Sequence, residues 1–344
     1  MDKFEQEIKQ NLKNWQAIIR QYHKPNTGKA VIQILNSFLP FLGLWTLMYF
    51  SLDWHYGITI ALAMVNAFFV VRIFIIQHDC GHGSFLKSKG WNYWIGFVCS
   101  FITTIPYTYW AKVHSFHHGH SGQLELRDIG DLPFLTTDEY RALPRWRRWG
   151  YMIFRTPLVL FVFAPIIYLL FSNRVPLINF KGWRKTHVQQ FFNNIFMVLF
   201  YVGLIWLFGW KAILLIQIPL VLGFGIIAFW FFYVQHQHEE TYKNWKKDWD
   251  YLIASIRGST YYKLPKLFHW LTGNIGFHHI HHLSPRIPNY ELEKCARENP
   301  ILQKYVTSLT FVQSLKCSSA KLWDEQQRRM ISFREYYQLE KARR

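Results

Sequence analysis

Residues 56–82 read YGITIALAMVNAFFVVRIFIIQHDCGH, an apolar block followed at once by two histidines. About twenty apolar residues in a helix cross the hydrocarbon core of a bilayer, so the block 56–76 is long enough to span one. His78 and His82 are four residues apart, a spacing that places both imidazoles on one face of a helix. The stretch therefore predicts a membrane-spanning helix that ends in a pair of potential metal ligands.

Five further apolar blocks have the length of a membrane span. They are residues 32–51, 91–110, 151–171, 191–208 and 211–234. Block 91–110 carries Asn92 and ends in a polar aromatic run, and block 151–171 holds Arg155 and two prolines. These two are predicted to be re-entrant or interfacial segments, because exposed polar groups do not cross the bilayer core. The expected fold is an all-α integral membrane protein with four transmembrane helices, near 32–51, 56–76, 191–208 and 211–234.

Lysine and arginine are distributed unevenly around these four spans. Lys211 alone lies near the outer side, and Arg72 lies within a span. All other basic residues fall in the N-terminal region, in 77–190 or in 235–344, and such an excess marks the cytoplasmic side. Both termini are therefore expected in the cytoplasm. The histidine clusters described below then share that side, on a helical cap just above the membrane.

The two ends of the chain have patterns of their own. Residues 1–24 place apolar side chains at alternating spacings of three and four, which predicts an amphipathic helix in the membrane interface, within an N-terminal segment 1–30. An ordinary helix packed on its own domain is the alternative. Residues 318–343 predict a second amphipathic helix. No internal repeat divides the chain, so residues 1–344 are interpreted as a single domain.

The composition restricts the partners. The formal net charge is +18, 51% of the residues are hydrophobic and 17% are charged. The basic residues flank apolar blocks instead of covering a polar domain, so the expected partner is an anionic membrane surface and no nucleic acid. The four cysteines are far apart in sequence and are expected to be reduced thiols.

Histidine clusters carry the functional signal, because twelve of the 16 histidines fall in four short stretches. The stretches are HDCGH (78–82), HSFHHGH (114–120), QHQH (235–238) and HHIHH (278–282). A single HxxxH is expected roughly once by chance in a chain of this length and composition, whereas HxxHH is expected on the order of 0.03 times. The two HxxHH motifs therefore indicate a metal site.

Nine of the clustered histidines are the predicted metal ligands: His78, His82, His114, His117, His118, His236, His278, His281 and His282. Nine imidazoles exceed the capacity of one ion, so two ions are expected to share them. Imidazole binds zinc, copper, iron and nickel alike, which leaves the metal open. Three clustered histidines lie outside the motif register and are predicted to be spares or supporting groups, namely His120, His238 and His279. Four isolated ones are predicted to be interfacial: His23, His55, His187 and His269.

Three acidic residues lie next to these clusters. Asp79, Asp131 and Glu239 are candidates to orient ligating imidazoles, as carboxylates commonly do around metal sites. For each of them a solvated loop acid is the alternative interpretation.

At this point the motifs resemble those of the membrane-bound fatty-acid desaturases, whose pattern is HxxxH, HxxHH and a second HxxHH. The surrounding segments RIFIIQHDCGHGSF, FYVQHQHE and WLTGNIGFHHIHHLSPRIPNYEL are similar to bacterial acyl-lipid desaturases. The likeness extends from about residue 30 to 335, and His236 stands where the family has a further ligand after its last span.

The resemblance implies a di-iron centre that uses O2 to remove two hydrogens from a long fatty-acyl chain, esterified in membrane phospholipid. It implies no catalytic residue beyond the metal ligands. It also implies an integral protein of the bacterial cytoplasmic membrane and a separate electron donor, a ferredoxin or flavodoxin. Two alternatives remain from the residues alone. One is a histidine-motif membrane hydroxylase or ketolase, and the other is a metal transporter or sensor, which would need polar ligands along a path through its spans.

Overall fold

The computed structural model describes residues 3–343 and is mostly helical. The helices up to the middle of the chain are α1 (Lys3–Asn11), α2 (Trp15–Arg20), α3 (Thr27–Ser51), α4 (Tyr56–His82), α5 (Lys89–Thr103), α6 (Tyr107–His120), α7 (Thr137–Ala142), α8 (Arg145–Phe154) and α9 (Ala164–Leu170). The remaining helices are α10 (Arg184–Phe208), α11 (Trp210–His236), α12 (Tyr251–Arg257), α13 (Lys266–Leu271), α14 (His278–Leu283), α15 (Asn289–Glu298), α16 (Phe311–Ser314) and α17 (Phe333–Ala342).

Four helices among residues 3–343 are long and apolar enough to cross a membrane: α3, α4, α10 and α11. They contain the four predicted spans, which confirms that part of the prediction. α4 and α11 continue beyond their apolar blocks to His82 and His236, so the first and third histidine motifs lie on the last turns of spanning helices. The apolar residues of α10 are largely exposed, Trp206 by 83%, as expected for a helix that faces lipid.

Close packing of α4 against α11 fixes the relative position of these two helix ends. A Cβ at Gly223 would lie 3.0 Å from the Cβ of Ala67, so the missing side chain lets the two backbones approach. Small residues serve this purpose in membrane proteins, where no hydrophobic effect drives helices together. Further along α11, Phe224 belongs to the same buried cluster as Ile73 and Ile76 of α4.

The two blocks predicted not to span differ from the four long helices. α5 has 15 residues and a length of about 22 Å, which is short of the bilayer core. The chain then turns at Thr104–Pro106 into α6. Between α8 and the segment Val159–Arg174 the chain bends by 63°, so this pair forms either a broken span or a re-entrant loop. Gly225 of α11 lets Pro165 of α9 approach, because a Cβ there would lie 2.8 Å from the Pro165 Cβ.

The structure favours the alternative interpretation of residues 1–24, a helical segment packed on its own domain. The segment forms two short helices, α1 and α2, and its apolar face packs on the protein itself. Ile8, Leu12 and Ile19 are buried in a cluster with residues of α12, α14 and α15. The alternative interpretation, a helix packed on its own domain, therefore describes this segment, with a break at residues 12–14.

The single helix predicted over 318–343 is wrong, because only α17 is helical there. Five short strands occur in the described chain: β1 (Leu135–Thr136), β2 (Thr260–Lys263), β3 (Thr307–Thr310), β4 (Leu322–Asp324) and β5 (Arg329–Ile331). β4 and β5 form an antiparallel pair, and β1 joins β4 in parallel register. β2 pairs in parallel with β3. The buried side chains Leu322, Met330 and Ile331 anchor the β4–β5 pair.

Candidate metal centre

The nine predicted ligands lie on four helices that meet at one place. α4 and α11 each bring the end of a spanning helix, while α6 and α14 are short helices that carry the two HxxHH motifs. Within each motif the three- and four-residue spacing puts the imidazoles on one helix face. Eight of the nine side chains are at most 8% exposed, and His82 is half-buried.

Five of these histidines form a first group: His78, His82, His114, His118 and His281. One ring nitrogen from each lies within 4.8 Å of the others. The Nε2 atom of His118 is 3.1 Å from Nε2 of His114 and 3.0 Å from Nε2 of His281. Three separate helices thus direct their imidazole nitrogens to a single point.

A second group contains His117, His236 and His282, whose nitrogens also lie within 4.8 Å of one another. His278 adjoins it, because its Nε2 is 2.9 Å from that of His236 and 3.1 Å from that of His282. The two groups touch where the rings of His118 and His282 stack with centroids 4.3 Å apart. The structure therefore brings all nine predicted residues together, as five plus four.

The distances between these nitrogens suit metal ligands. Two nitrogens at right angles around an ion with bonds of about 2.1 Å lie about 3.0 Å apart. The close Nε2 pairs here are 2.9 to 3.3 Å apart. Burial lowers the pKa of His118 and His282 well below the ordinary value, and the neighbouring imidazoles lower each pKa further. The rings are therefore neutral, with lone pairs available, which is the form that binds a metal.

One of the three predicted orienting acids contacts a candidate ligand directly. The Asp79 Oδ1 atom is 2.9 Å from Nδ1 of His78. Its Oδ2 accepts hydrogen bonds from the backbone N–H and the side-chain amide of Asn289, at 2.6 and 2.8 Å. Such an arrangement fixes the His78 ring with its Nε2 toward the group.

The other two candidate acids, Asp131 and Glu239, differ in their burial. Asp131 is half-buried on the wall of the cavity described below, and its charge opposes the effect of burial on the pKa of His117. Glu239 is exposed and forms an ion pair with Arg329 at 3.0 Å, so the orienting role predicted for Glu239 is not supported. The alternative interpretation, a solvated acid, describes it, because the chain leaves the helix at Gln237 and turns the side chain outward.

The remaining histidines lie outside both groups. His120 has Nδ1 2.9 Å from the carbonyl oxygen of Phe116, and His238 and His279 are buried without joining the nitrogen clusters. Of the four predicted interfacial histidines, His55 is exposed and accepts a hydrogen bond from Gly57 N–H at the start of α4. The prediction is wrong for His269, which is buried and stacks on Phe277.

Two aromatic residues at the site were missed from the sequence. Trp110 stacks on His114 with ring centroids 4.6 Å apart and planes 17° from parallel. Phe232 packs edge-on against His236 at 5.0 Å. Each stands four residues before the histidine on the same helix, so the spacing rule applied to the histidines also identifies them. Outside these helices, the backbone oxygen of Gly258 lies 3.2 Å from Nδ1 of His236.

Both histidine groups border one cavity of about 540 Å³. His78, His114 and His278 line it, together with mostly apolar side chains such as Val71 of α4, Phe224 of α11 and Leu160 of the segment before α9. This volume is in the ordinary range for a small-molecule site, about 300 to 1,000 Å³. The arrangement is a buried metal-binding constellation that opens onto an apolar chamber between membrane helices.

The sequence model of the family described as fatty acid desaturase matches residues 52–312, three quarters of the chain. The chain belongs to the fatty acid desaturase family. That family acts on fatty-acyl chains, and the apolar cavity beside the histidines agrees with such a substrate. The geometry of the histidine groups fits metal binding in such an enzyme.

Individual relatives support the assignment. A "Fatty acid desaturase" of Bacillus subtilis (strain 168) is 43% identical over 331 residues, covering 96% of this chain and 93% of the relative. The "sn-1 oleoyl-lipid 12-desaturase" of Picosynechococcus is 25% identical, covering 80% and 78% of the two chains. The "sn-1 acyl-lipid omega-3 desaturase (ferredoxin)" of Synechocystis is 26% identical, covering 68% and 65%.

Proposed function

We propose that the nine histidines hold two iron ions and that the enzyme desaturates a long fatty-acyl chain of a membrane phospholipid with O2. The observation that carries this proposal is the shared cavity. His78 and His114 of the first group and His278 of the second line the same apolar chamber, so a chain lying in it passes both metal positions.

Iron is favoured by the reaction. Removing hydrogen from a methylene group exceeds what side-chain acids and bases achieve, so a redox-active cofactor has to supply the reactivity. Zinc has no redox chemistry, although imidazole binds it well. When bound, iron supplies activation of O2 for the removal of two hydrogens from adjacent carbons. The metal transporter alternative receives no support, because the histidine groups lie at one end of the spans.

The residues of the chain position the substrate and exclude water. Apolar walls from Val71, Phe224 and Leu160 favour a saturated chain over water. The rings of Trp110 and Phe232 pack on those of His114 and His236 from the preceding turn of the same helix. Orientation of the chain relative to fixed ligands determines which two carbons react, since a displacement of about 1 Å changes the rate strongly.

Electrons have to come from a second protein. Reduction of O2 to two water molecules takes four electrons; two come from the acyl chain with its two hydrogens, and the other two arrive from a donor with two protons from solvent. We infer a ferredoxin or flavodoxin, and the printed name of the Synechocystis relative includes ferredoxin. An acidic carrier suits this chain, whose net charge is +18.

The orientation in the membrane follows from the same proposal. We place both termini, the metal centre and the segments 77–190 and 235–344 on the cytoplasmic side of a bacterial cytoplasmic membrane, with residues 1–344 as a single domain. The distribution of lysine and arginine supports this orientation.

Expression in a host that lacks desaturases tests the function. Mass spectrometry of the cellular lipids is expected to show one new double bond per modified chain, and purified enzyme is expected to contain about two iron ions per chain, as nine ligands require. Activity lost on chelation should return with ferrous iron and not with zinc. Hydroxylated or keto products in place of the alkene would support the hydroxylase alternative, and full activity of zinc-loaded enzyme would exclude the iron proposal.

Asp79→Asn tests the orienting carboxylate. Loss of the charge beside Nδ1 of His78 is expected to reduce metal content and desaturation by about 10- to 100-fold. Metal per chain and product per hour in lipid extracts measure the effect. Asp53→Asn is the matched control, since Asp53 is an exposed acid in the turn between α3 and α4. An Asp79→Asn protein equal to that control in both readouts would contradict the role.

A further inference from the structure

The cavity reaches the surface of the protein at its membrane-facing side. Two of its lining residues are largely exposed, Leu177 by 68% and Ile167 by 55%. Exposed apolar side chains surround Ile167, including Leu170 and Phe171. Contiguous exposed apolar side chains are typical of surfaces that contact lipid. We therefore take the opening between Leu177 and Ile167 to face the lipid phase.

A basic segment adjoins this mouth. Residues 181–185 read KGWRK, in which Lys181, Arg184 and Lys185 are exposed and Trp183 is buried. Arg184 begins α10, so the segment lies at the cytoplasmic end of a spanning helix, at the depth of the lipid headgroups. Such a position favours contact with phosphate groups.

Tyr109 connects the basic segment to the cavity. It lines the chamber, and its hydroxyl accepts a hydrogen bond of 3.0 Å from the backbone N–H of Ile178, another lining residue. Its ring packs edge-on against Trp183 with centroids 6.5 Å apart. His187 in the first turn of α10 has Nε2 3.2 Å from the Ile178 oxygen. The KGWRK segment therefore packs against the wall of the cavity through Trp183, and we call this basic segment the rim.

The charges of this segment have no counterpart nearby in sequence. Residues 140–238 contain ten lysine and arginine residues and no aspartate or glutamate. Within residues 3–343 no carboxylate forms an ion pair with Lys181, Arg184 or Lys185. Unpaired cations at a membrane boundary favour an anionic partner from outside the chain.

We propose that residues 181–185 bind the phosphate of a phospholipid whose acyl chain enters the cavity sideways between Leu177 and Ile167. This inference rests on the proposed function, since it names the entry route and the headgroup of the substrate. Arginine binds phosphate in bidentate fashion, and the backbone N–H groups at the start of α10 add favourable partial charge. An acyl chain carried by coenzyme A would instead arrive from water.

The test measures KM and kcat of two double variants in phosphatidylcholine nanodiscs. The nanodiscs contain either phosphatidylglycerol or diacylglycerol as the substrate, and the two substrates carry identical acyl chains. Arg184→Gln/Lys185→Gln removes the rim charges. Lys87→Gln/Lys89→Gln is the matched control, because both residues are exposed and flank the start of another helix, α5, away from the cavity lining. The rim variant is expected to raise KM for phosphatidylglycerol by on the order of ten-fold with kcat unchanged, and the control to leave both unchanged.

A second readout separates this inference from the proposed function. Native mass spectrometry counts the phosphatidylglycerol molecules that stay bound to each protein, whether or not any is desaturated. Fewer bound lipids on the rim variant than on the control support the site even if no double bond forms. The inference would be overturned if the two variants retained equal numbers of phosphatidylglycerol molecules or had equal KM values for this lipid. It would also be overturned if the unmodified enzyme preferred diacylglycerol, or if it turned over an acyl-coenzyme A substrate faster.

Discussion

His118→Ala is expected to abolish desaturation, with a loss above about 100-fold, because even residues that only orient ligands contribute about 10- to 100-fold at metal sites. His118 holds a central position. Its Nε2 lies 3.1 and 3.0 Å from the corresponding atoms of His114 and His281, and its ring stacks on His282 of the other group. Double-bond content of lipids from expressing cells and metal content of the purified protein measure the loss.

His120→Ala is the matched control on the same helix. His120 lies two residues further along α6 and contacts the Phe116 carbonyl oxygen at 2.9 Å, outside both groups. The control should retain metal and activity close to those of the unmodified enzyme. If His118→Ala kept full metal content and activity, the first group would have a different set of ligands.

Arg155→Met is expected to destabilise the protein by about 2 to 5 kcal/mol, because each buried acceptor left without a hydrogen bond costs about 1 to 3 kcal/mol. Arg155 is 0% exposed. Its guanidinium donates hydrogen bonds of 2.6 to 3.0 Å to Pro133 O, Tyr233 Oη, Gln237 Oε1 and Ala320 O. Its loss would leave Pro133 O and Gln237 Oε1 without this donor, whereas Ala320 O keeps the hydrogen bond of 2.6 Å from the Tyr233 hydroxyl. Thermal unfolding in detergent, followed by circular dichroism, measures the change.

Arg147→Met provides the comparison, because Arg147 is an exposed residue of α8, the helix that ends directly before Arg155. A surface substitution of this kind is expected to change stability by less than about 0.5 kcal/mol. If both variants melted at the temperature of the unmodified protein, the hydrogen bonds of Arg155 would contribute nothing to stability. A large loss in both would indicate an effect of charge on α8.

The sequence predicts the four long apolar helices and the grouping of the nine histidines well, because both depend on local patterns. Apolar length identifies α3, α4, α10 and α11, and the three- and four-residue spacing identifies which histidines share a face. Joining the four motifs required only that they lie on one side of the membrane. The predicted spans 56–76 and 211–234 end before the helices do. Polar residues follow the apolar blocks, but α4 continues to His82 and α11 to His236.

The parts that were left open or predicted incorrectly depend on contacts between distant segments. The sequence leaves open what covers Ile8 and Leu12, and the structure buries both in a cluster whose other members include Tyr242 and Ile253, more than 200 residues away. The β4–β5 pair lies in a stretch with helical spacing, and its neighbour β1 is almost 190 residues earlier in the chain. The outward turn of Glu239 follows from the helix end at His236, which the residue types alone do not define.

α14 supplies a ligand to each histidine group, His281 to the first and His282 to the second. During synthesis the four spanning helices leave the ribosome before these two residues, and His78 precedes His281 by 203 positions. Neither ion position is complete until the last of the four motifs has been translated and folded back onto the membrane surface. If the two groups hold metal as proposed, insertion of the ions is a late step in biogenesis, and a chain interrupted between the last span and residue 281 lacks both complete groups.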